Sequence, residues 1–220
     1  MSHGTQWRET TYKATALALL VPGYASGYLV LNRLMMDAPR PWDLSLPLEH
    51  RVPFIPELLA TYGLAYLMVA VLALVIHGEK LVRHTVRAFA TTCLLQLVCF
   101  ALFPVRMTER PELLPDGTFW HDVGTFWFWL DRPTNLFPSA HVSMSVLSAL
   151  FFRDVNPWLG RLAGGLAAFV AVSVVLVRQH YVLDTVAGAA LALAVYRATS
   201  PGWVREVLWA HAPRATTSGK

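Results

Sequence analysis

Two short stretches of this sequence hold residue types that do chemistry together. In Arg178-Gln179-His180-Tyr181-Val182-Leu183-Asp184 a histidine and an aspartate stand four residues apart. On a helix that spacing puts both on one face, about 5–6 Å apart at Cβ. The carboxylate can then accept from one ring nitrogen and aim the other at a substrate, which is the orienting part of a nucleophile or base. In Phe137-Pro138-Ser139-Ala140-His141 a serine after proline reads as a helix N-cap. His141 then falls in the first turn, where unpaired backbone N–H groups form an anion site. Arg106, Arg110, Arg132 and Arg178 surround these stretches in sequence.

Two histidines, one aspartate, helix-start amides and arginines suit phosphate-ester chemistry. Arginines and amides hold the non-bridging oxygens and stabilise the charge of the transition state. One histidine attacks phosphorus and the other protonates the leaving oxygen. No Cys/His or acidic cluster with metal-ligand spacing accompanies them, so the expected route needs neither metal nor cofactor. Each piece also has an ordinary explanation. Pro-Ser before a helix is common capping, a lone His-x-x-x-Asp pair can be one structural hydrogen bond, and arginines outside a membrane often touch lipid phosphates. Their coincidence on one face argues for function, because ionisable residues at membrane depth are costly.

The elements that must position them are membrane helices. Of the 220 residues, 55% are hydrophobic and only 15% charged, where a soluble domain carries about a quarter charged. That excludes a soluble globular enzyme and an extended disordered chain. Apolar runs at 14–34, 55–77, 88–105, 139–153, 158–177 and 181–199 approach the roughly 20 residues that cross a bilayer. The expectation is an all-α polytopic protein of six transmembrane helices, a single catalytic domain over 1–220. The fourth run is short and opens on Ser139 and His141, so it starts below the membrane surface. The first is too long for a signal-peptide core and is kept as a span. Trp203 and Trp209 in the tail read as interfacial.

Six spans put both termini on one side. Eleven of the 18 lysines and arginines, with Lys13, Lys80 and Lys220 among them, fall on that side and seven on the other. The positive-inside rule then makes the termini cytoplasmic and the His/Asp/Arg cluster extracytoplasmic, in a cell membrane. On the outer face, Thr118–Leu130 carries three Trp and three Phe in 13 residues, an aromatic segment lying in the interface. It reads as a simple anchor or as a rim for lipid entry. The net charge of +4 is scattered, with no nucleic-acid patch. Cys93 and Cys99 lie six apart in one apolar run and form no disulfide framework.

Together these residues resemble the type 2 phosphatidic acid phosphatase superfamily of membrane lipid phosphatases and phosphotransferases. Its Pro-Ser-Gly-His motif is similar to Pro138-Ser139-Ala140-His141. Its His-x-x-x-Asp motif, followed by a glycine, is similar to His180 through Asp184 and on to Gly188. Phe103-Pro104-Val105-Arg106 with Arg110-Pro111 stands where its first motif belongs. The resemblance implies a nucleophilic His180 forming a phosphohistidine, oriented by Asp184, with His141 as general acid. It implies that Ser139, the Ala140 amide, Arg110 and Arg106 hold phosphate oxygens. Two cations of the family pattern are replaced, by Phe103 and Val174. Arg106, Arg132 and Arg178 are the candidates to substitute, Arg178 only if the chain turns before His180. These departures, with Val52-Pro53-Phe54-Ile55-Pro56, resemble a branch that includes inositol phosphorylceramide synthases.

The function expected is hydrolysis of a lipid phosphate ester on the outer leaflet. The alternative is transfer of a phosphorylated head group to a lipid alcohol. A third reading is a transporter or scaffold that binds an anionic lipid without chemistry. The partners expected are a lipid phosphate and membrane lipids. Neither the particular lipid nor the oligomeric state is legible.

Overall fold

The computed structural model describes residues 3–108, 110 and 116–200. Pro111, the tail beyond 200 and its Trp203 and Trp209 lie outside the described residues. Every regular element described is helical: α1 His3–Leu34, α2 Leu64–Val75, α3 Glu79–Leu102, α4 Phe119–Leu130, α5 Ala140–Val155, α6 Pro157–Leu176 and α7 Val182–Thr199. A 3₁₀ helix, Pro56–Gly63, leads directly into α2. Five segments are long and apolar enough to cross a membrane: Gln6–Asp37, Pro56–Val75, Glu79–Leu102, Pro157–Leu176 and Val182–Thr199.

The expected fourth span corresponds to α5, which differs from these five. It has 16 residues, and His141, Ser143, Ser145 and Ser148 are buried along it. Its neighbours explain the polarity. α5 packs against α2, α3, α6 and α7, so protein rather than lipid surrounds it, and small hydroxyl residues let helices approach closely.

Local signals set the junctions. Asn156 accepts from the Trp158 and Leu159 amides and caps α6, with Pro157 as its first residue. The reversal there is tight, since a Cβ on Gly160 would lie 2.5 Å from the Arg153 Cα. On the same side as the α5–α6 turn, Lys13 donates to the Ile76 carbonyl at 2.7 Å and Glu9 accepts from the Gly78 amide at 3.0 Å. These contacts cover the end of α2 and the start of α3, whose exposed polar groups need partners.

The core divides by depth. Met68, Leu72, Val82, Leu147, Phe151, Ala192 and Tyr196 pack in the half nearer the termini. Tyr62, Ala65, Val142, Val170 and Val174 form a second cluster. Val105, Met107, Leu136 and Tyr181 form a third, under the outer segments. Those segments pair sparingly: the Trp42 amide donates to the Pro104 carbonyl, and the Arg106 amide to that of Trp42.

Candidate active site

Ser139 caps α5, its hydroxyl accepting from the Val142 amide at 3.4 Å. The first turn of α5 is pinned to the first turn of α7, because the Ser139 amide donates to the Asp184 carbonyl at 3.0 Å. A Cβ on Gly188 would lie 2.6 Å from the Ser139 carbonyl oxygen. Only a glycine permits this approach, which is the physical reason for a glycine one turn after the aspartate.

His180 and Asp184 meet, but not across one helical face. α6 ends at Leu176, and Arg178 takes a left-handed conformation with φ 50°. His180 therefore lies in the turn before α7, and Asp184 in the helix's first turn. Asp184 Oδ2 accepts from the Tyr181 amide at 2.8 Å and stands 3.7 Å from His180 Nδ1. That gap is an ion-pair distance, longer than a hydrogen bond. Such contacts are often long before substrate arrives. His180 is 4% exposed and Asp184 0%. Asp184 Oδ1 and His180 Nδ1 have no hydrogen-bond partner.

His141 enters from α5, with its ring centroid 5.7 Å from that of His180. One phosphoryl group between the rings would reach both, since reacting atoms approach to about 3–3.5 Å. Tyr66 meets His141 Nε2 at 3.3 Å. Tyr62 lies against the same ring, with centroids 3.9 Å apart.

The arginines separate. Arg110 donates to the Asp131 carbonyl at 3.0 Å, to Gln179 Oε1 at 2.8 Å and to the Phe128 carbonyl at 3.4 Å. It lies over the Phe128 ring, and its Nε is buried without a hydrogen-bond partner among the described residues. Burial lowers its pKa, against the charge of Asp131. Through Gln179 it borders His180. Arg178 shares a cleft of about 410 Å³ with His180, Ser45, Glu49, Thr108 and Tyr181, and donates to the Val52 carbonyl at 2.8 Å. The turn that its candidacy required is present. Arg106 points elsewhere, donating to the Met36 carbonyl at the end of α1. Arg132 is half-buried, its amide donating to Asn32 Oδ1 at 2.9 Å. Of the two expected phosphate-holding groups at the start of α5, Ser139 has its amide committed to the Asp184 carbonyl while its hydroxyl, which accepts from Val142, keeps a proton to donate. The Ala140 amide stands at the open helix start.

Sequence reasoning passed over Tyr62, Tyr66, Gln179 and Asp131. Asp131 carried a signal: an acid closing an apolar aromatic run. The tyrosines carried none, since their role depends on which helices meet.

The comparisons with known proteins bear on this same set of residues. An uncharacterized protein of Methanocaldococcus jannaschii is 29% identical over 76 residues, an overlap of 34% of this chain and 31% of that protein. The chain thus spans less than a third of that relative's length. The model of the PAP2 superfamily matches residues 49–198, a range that takes in His141, His180, Asp184 and Arg110. With more than half its length inside that match, and its helices apolar enough for a bilayer, this chain is a membrane protein that belongs to the PAP2 superfamily.

Proposed function

We propose that this protein is a membrane lipid phosphatase working through a phosphohistidine at His180. One observation carries the reading: the two buried imidazoles stand 5.7 Å apart, one of them backed by the buried carboxylate of Asp184. Nδ1 of His180 faces Asp184, so Nε2 is the nitrogen that attacks phosphorus. As the P–N bond forms, the bond to the lipid oxygen breaks and His141 gives that oxygen its proton. His141, now neutral, takes a proton from water, and the water oxygen attacks phosphorus. The P–N bond breaks and phosphate leaves. Arg110 and the Ala140 amide stabilise the oxygens throughout. The chain crosses the membrane six times, α5 included, with the site at the extracytoplasmic face and α4 lying in the interface.

The test uses protein purified in detergent with a chelator present, offered a panel of lipid phosphates. Phosphate release that disappears in His180→Ala is the expected result. Undiminished turnover in that variant sinks the mechanism. The cleft beside His180 favours a second reading, because its Ser45, Glu49 and Arg178 could seat a polar acceptor. Adding a lipid alcohol distinguishes the two: a head-group transferase makes a new phospholipid with little free phosphate.

A further inference from the structure

α1 lies outside the segment matched to the family, yet two of its side chains reach the site. Asn32 is fully buried; its Nδ2 donates to the Arg132 carbonyl and to Thr134 Oγ1, each at 3.0 Å, and more distantly to Asp131 Oδ1 at 3.4 Å. Tyr28 donates to Asp131 Oδ1 at 2.7 Å. From the 3₁₀ helix, Tyr62 donates to Asp131 Oδ2. Donors from two separate elements therefore converge on one carboxylate that is 7% exposed. A buried carboxylate is costly even when paired. A packed apolar residue would tie these segments together at less cost.

What the carboxylate fixes is Tyr62. The Tyr62 ring is held edge-on by Trp127, at 4.8 Å between centroids, and its face lies on His141. Among the described residues no carboxylate pairs with His141: Nε2 meets the Tyr66 hydroxyl, and Nδ1 has no hydrogen-bond partner. Its orientation thus depends on the Tyr62 face and the Tyr66 hydroxyl. On its other flank, the Asp131 carbonyl receives Arg110, which bridges to Gln179 beside His180.

We infer that Asp131, acting through Tyr62, is a positioning residue for His141, and that α1 completes the site by holding Asp131 in place. The inference rests on the reading of His141 as the acid that protonates the leaving group. A proton donor must sit within hydrogen-bond reach of the departing oxygen, so a tilt of the imidazole costs rate rather than binding.

The test compares Asp131→Asn and Tyr62→Phe in the full chain, purified in detergent, on two esters. One is a long-chain alkyl phosphate, whose alkoxide needs a proton to leave. The other is p-nitrophenyl phosphate, whose phenolate leaves without one. His141→Ala and His180→Ala are the benchmarks for loss of acid and loss of nucleophile. Positioning through the acid predicts a kcat on the alkyl ester lower by about 10–100-fold, a partial loss of the roughly 10²–10⁴-fold that a general acid contributes. The loss on the nitrophenyl ester is at least about tenfold smaller, and KM for both stays within about threefold. Equal losses on both esters, or none, overturn the inference.

A second readout does not depend on turnover: the imidazole NMR signal of His141, identified by its absence in His141→Ala. It moves in folded Asp131→Asn, and a signal that stays in place overturns the inference whatever the substrate. If Asp131→Asn does not fold, Tyr62→Phe, which keeps the stacked ring, decides by the same readouts. If the parent protein hydrolyses neither ester while the signal moves, the phosphatase reading fails and the positioning of His141 by Asp131 stands.

Discussion

A carboxylate at position 131 has a cost that pH can reveal. Burial pushes Asp131 above its ordinary value of 3.8, while the Tyr62 and Tyr28 hydroxyls and the charges of His180 and Arg110 pull it back only in part. The folded protein therefore holds this proton more tightly than the unfolded chain does. The group's contribution to stability is fully present below 3.8 and is lost as pH rises through the higher folded value. Asn at this position has no such titration. Thermal unfolding in detergent should show the Tm of Asp131→Asn gaining on that of the parent as pH climbs from about 4 toward neutrality. A gap that moves the other way would mean the three donors outweigh the burial. His180, Asp184 and His141 could be read from the sequence because their spacing is local. Asp131 carried only the signal of an acid closing an aromatic run, and its role could not be read, because its partners Tyr28, Asn32 and Tyr62 are 103, 99 and 69 residues away. Without those partners, Asp131-Arg132 reads as a solvated pair at the end of an aromatic run.

Between elements, the decisive contact is the one that sets α7 against the start of α5. The amide of Ser139 on the Asp184 carbonyl and the bare Cα of Gly188 under the Ser139 carbonyl hold the His141 turn and the Asp184 turn in one register. Gly188→Ala puts a methyl carbon 2.6 Å from a backbone oxygen that cannot rotate away. Relief requires the two helices to separate, and overpacking of this kind costs about 1–3 kcal/mol. The separation acts on the His180–Asp184 turn relative to His141. Gly188→Ala is therefore expected to lower Tm by several degrees and turnover by more than about tenfold, since small misplacements of reacting groups are expensive. Gly164→Ala, where a Cβ meets nothing within 4 Å, is the control that should leave both near the parent values. The helices themselves were readable from apolar runs, to within a turn or two at most ends. α1 and α3 are the clearest departures, since they start at His3 and Glu79, well before the apolar runs that begin at 14 and 88. Hydropathy marks where a helix meets lipid and is silent where the same helix continues into water. It marks α5 only as a short run, 139–153, because the buried serines of that helix face protein.

For the molecule as a whole, the proposed orientation rests on charge and on the location of the candidate site. Among the described residues, Lys13, Lys80, Arg8, Arg83, Arg87, Arg153, Arg161 and Arg197 lie toward the N-terminus, the α2–α3 and α5–α6 turns and the end of α7, whereas the His180 cleft is built from the segment after α1, the segment after α3 and the α6–α7 turn. If α5 crosses the membrane with the five longer helices, these two groups face opposite sides. If they share a side, neither α5 nor α6 crosses, because both helices run between the α5–α6 turn and the cleft. A labelling experiment separates the cases. In a background with Cys93 and Cys99 replaced by alanine, Ser45→Cys reports on the cleft side and Trp158→Cys, at a residue 74% exposed, reports on the α5–α6 turn. A membrane-impermeant maleimide added to intact cells is expected to label Ser45→Cys at once and Trp158→Cys only after permeabilisation. Labelling of both in intact cells would mean that neither α5 nor α6 crosses. The reverse pattern would keep six crossings but turn the cleft to the cytoplasm, so that the enzyme would draw its substrate from the inner leaflet.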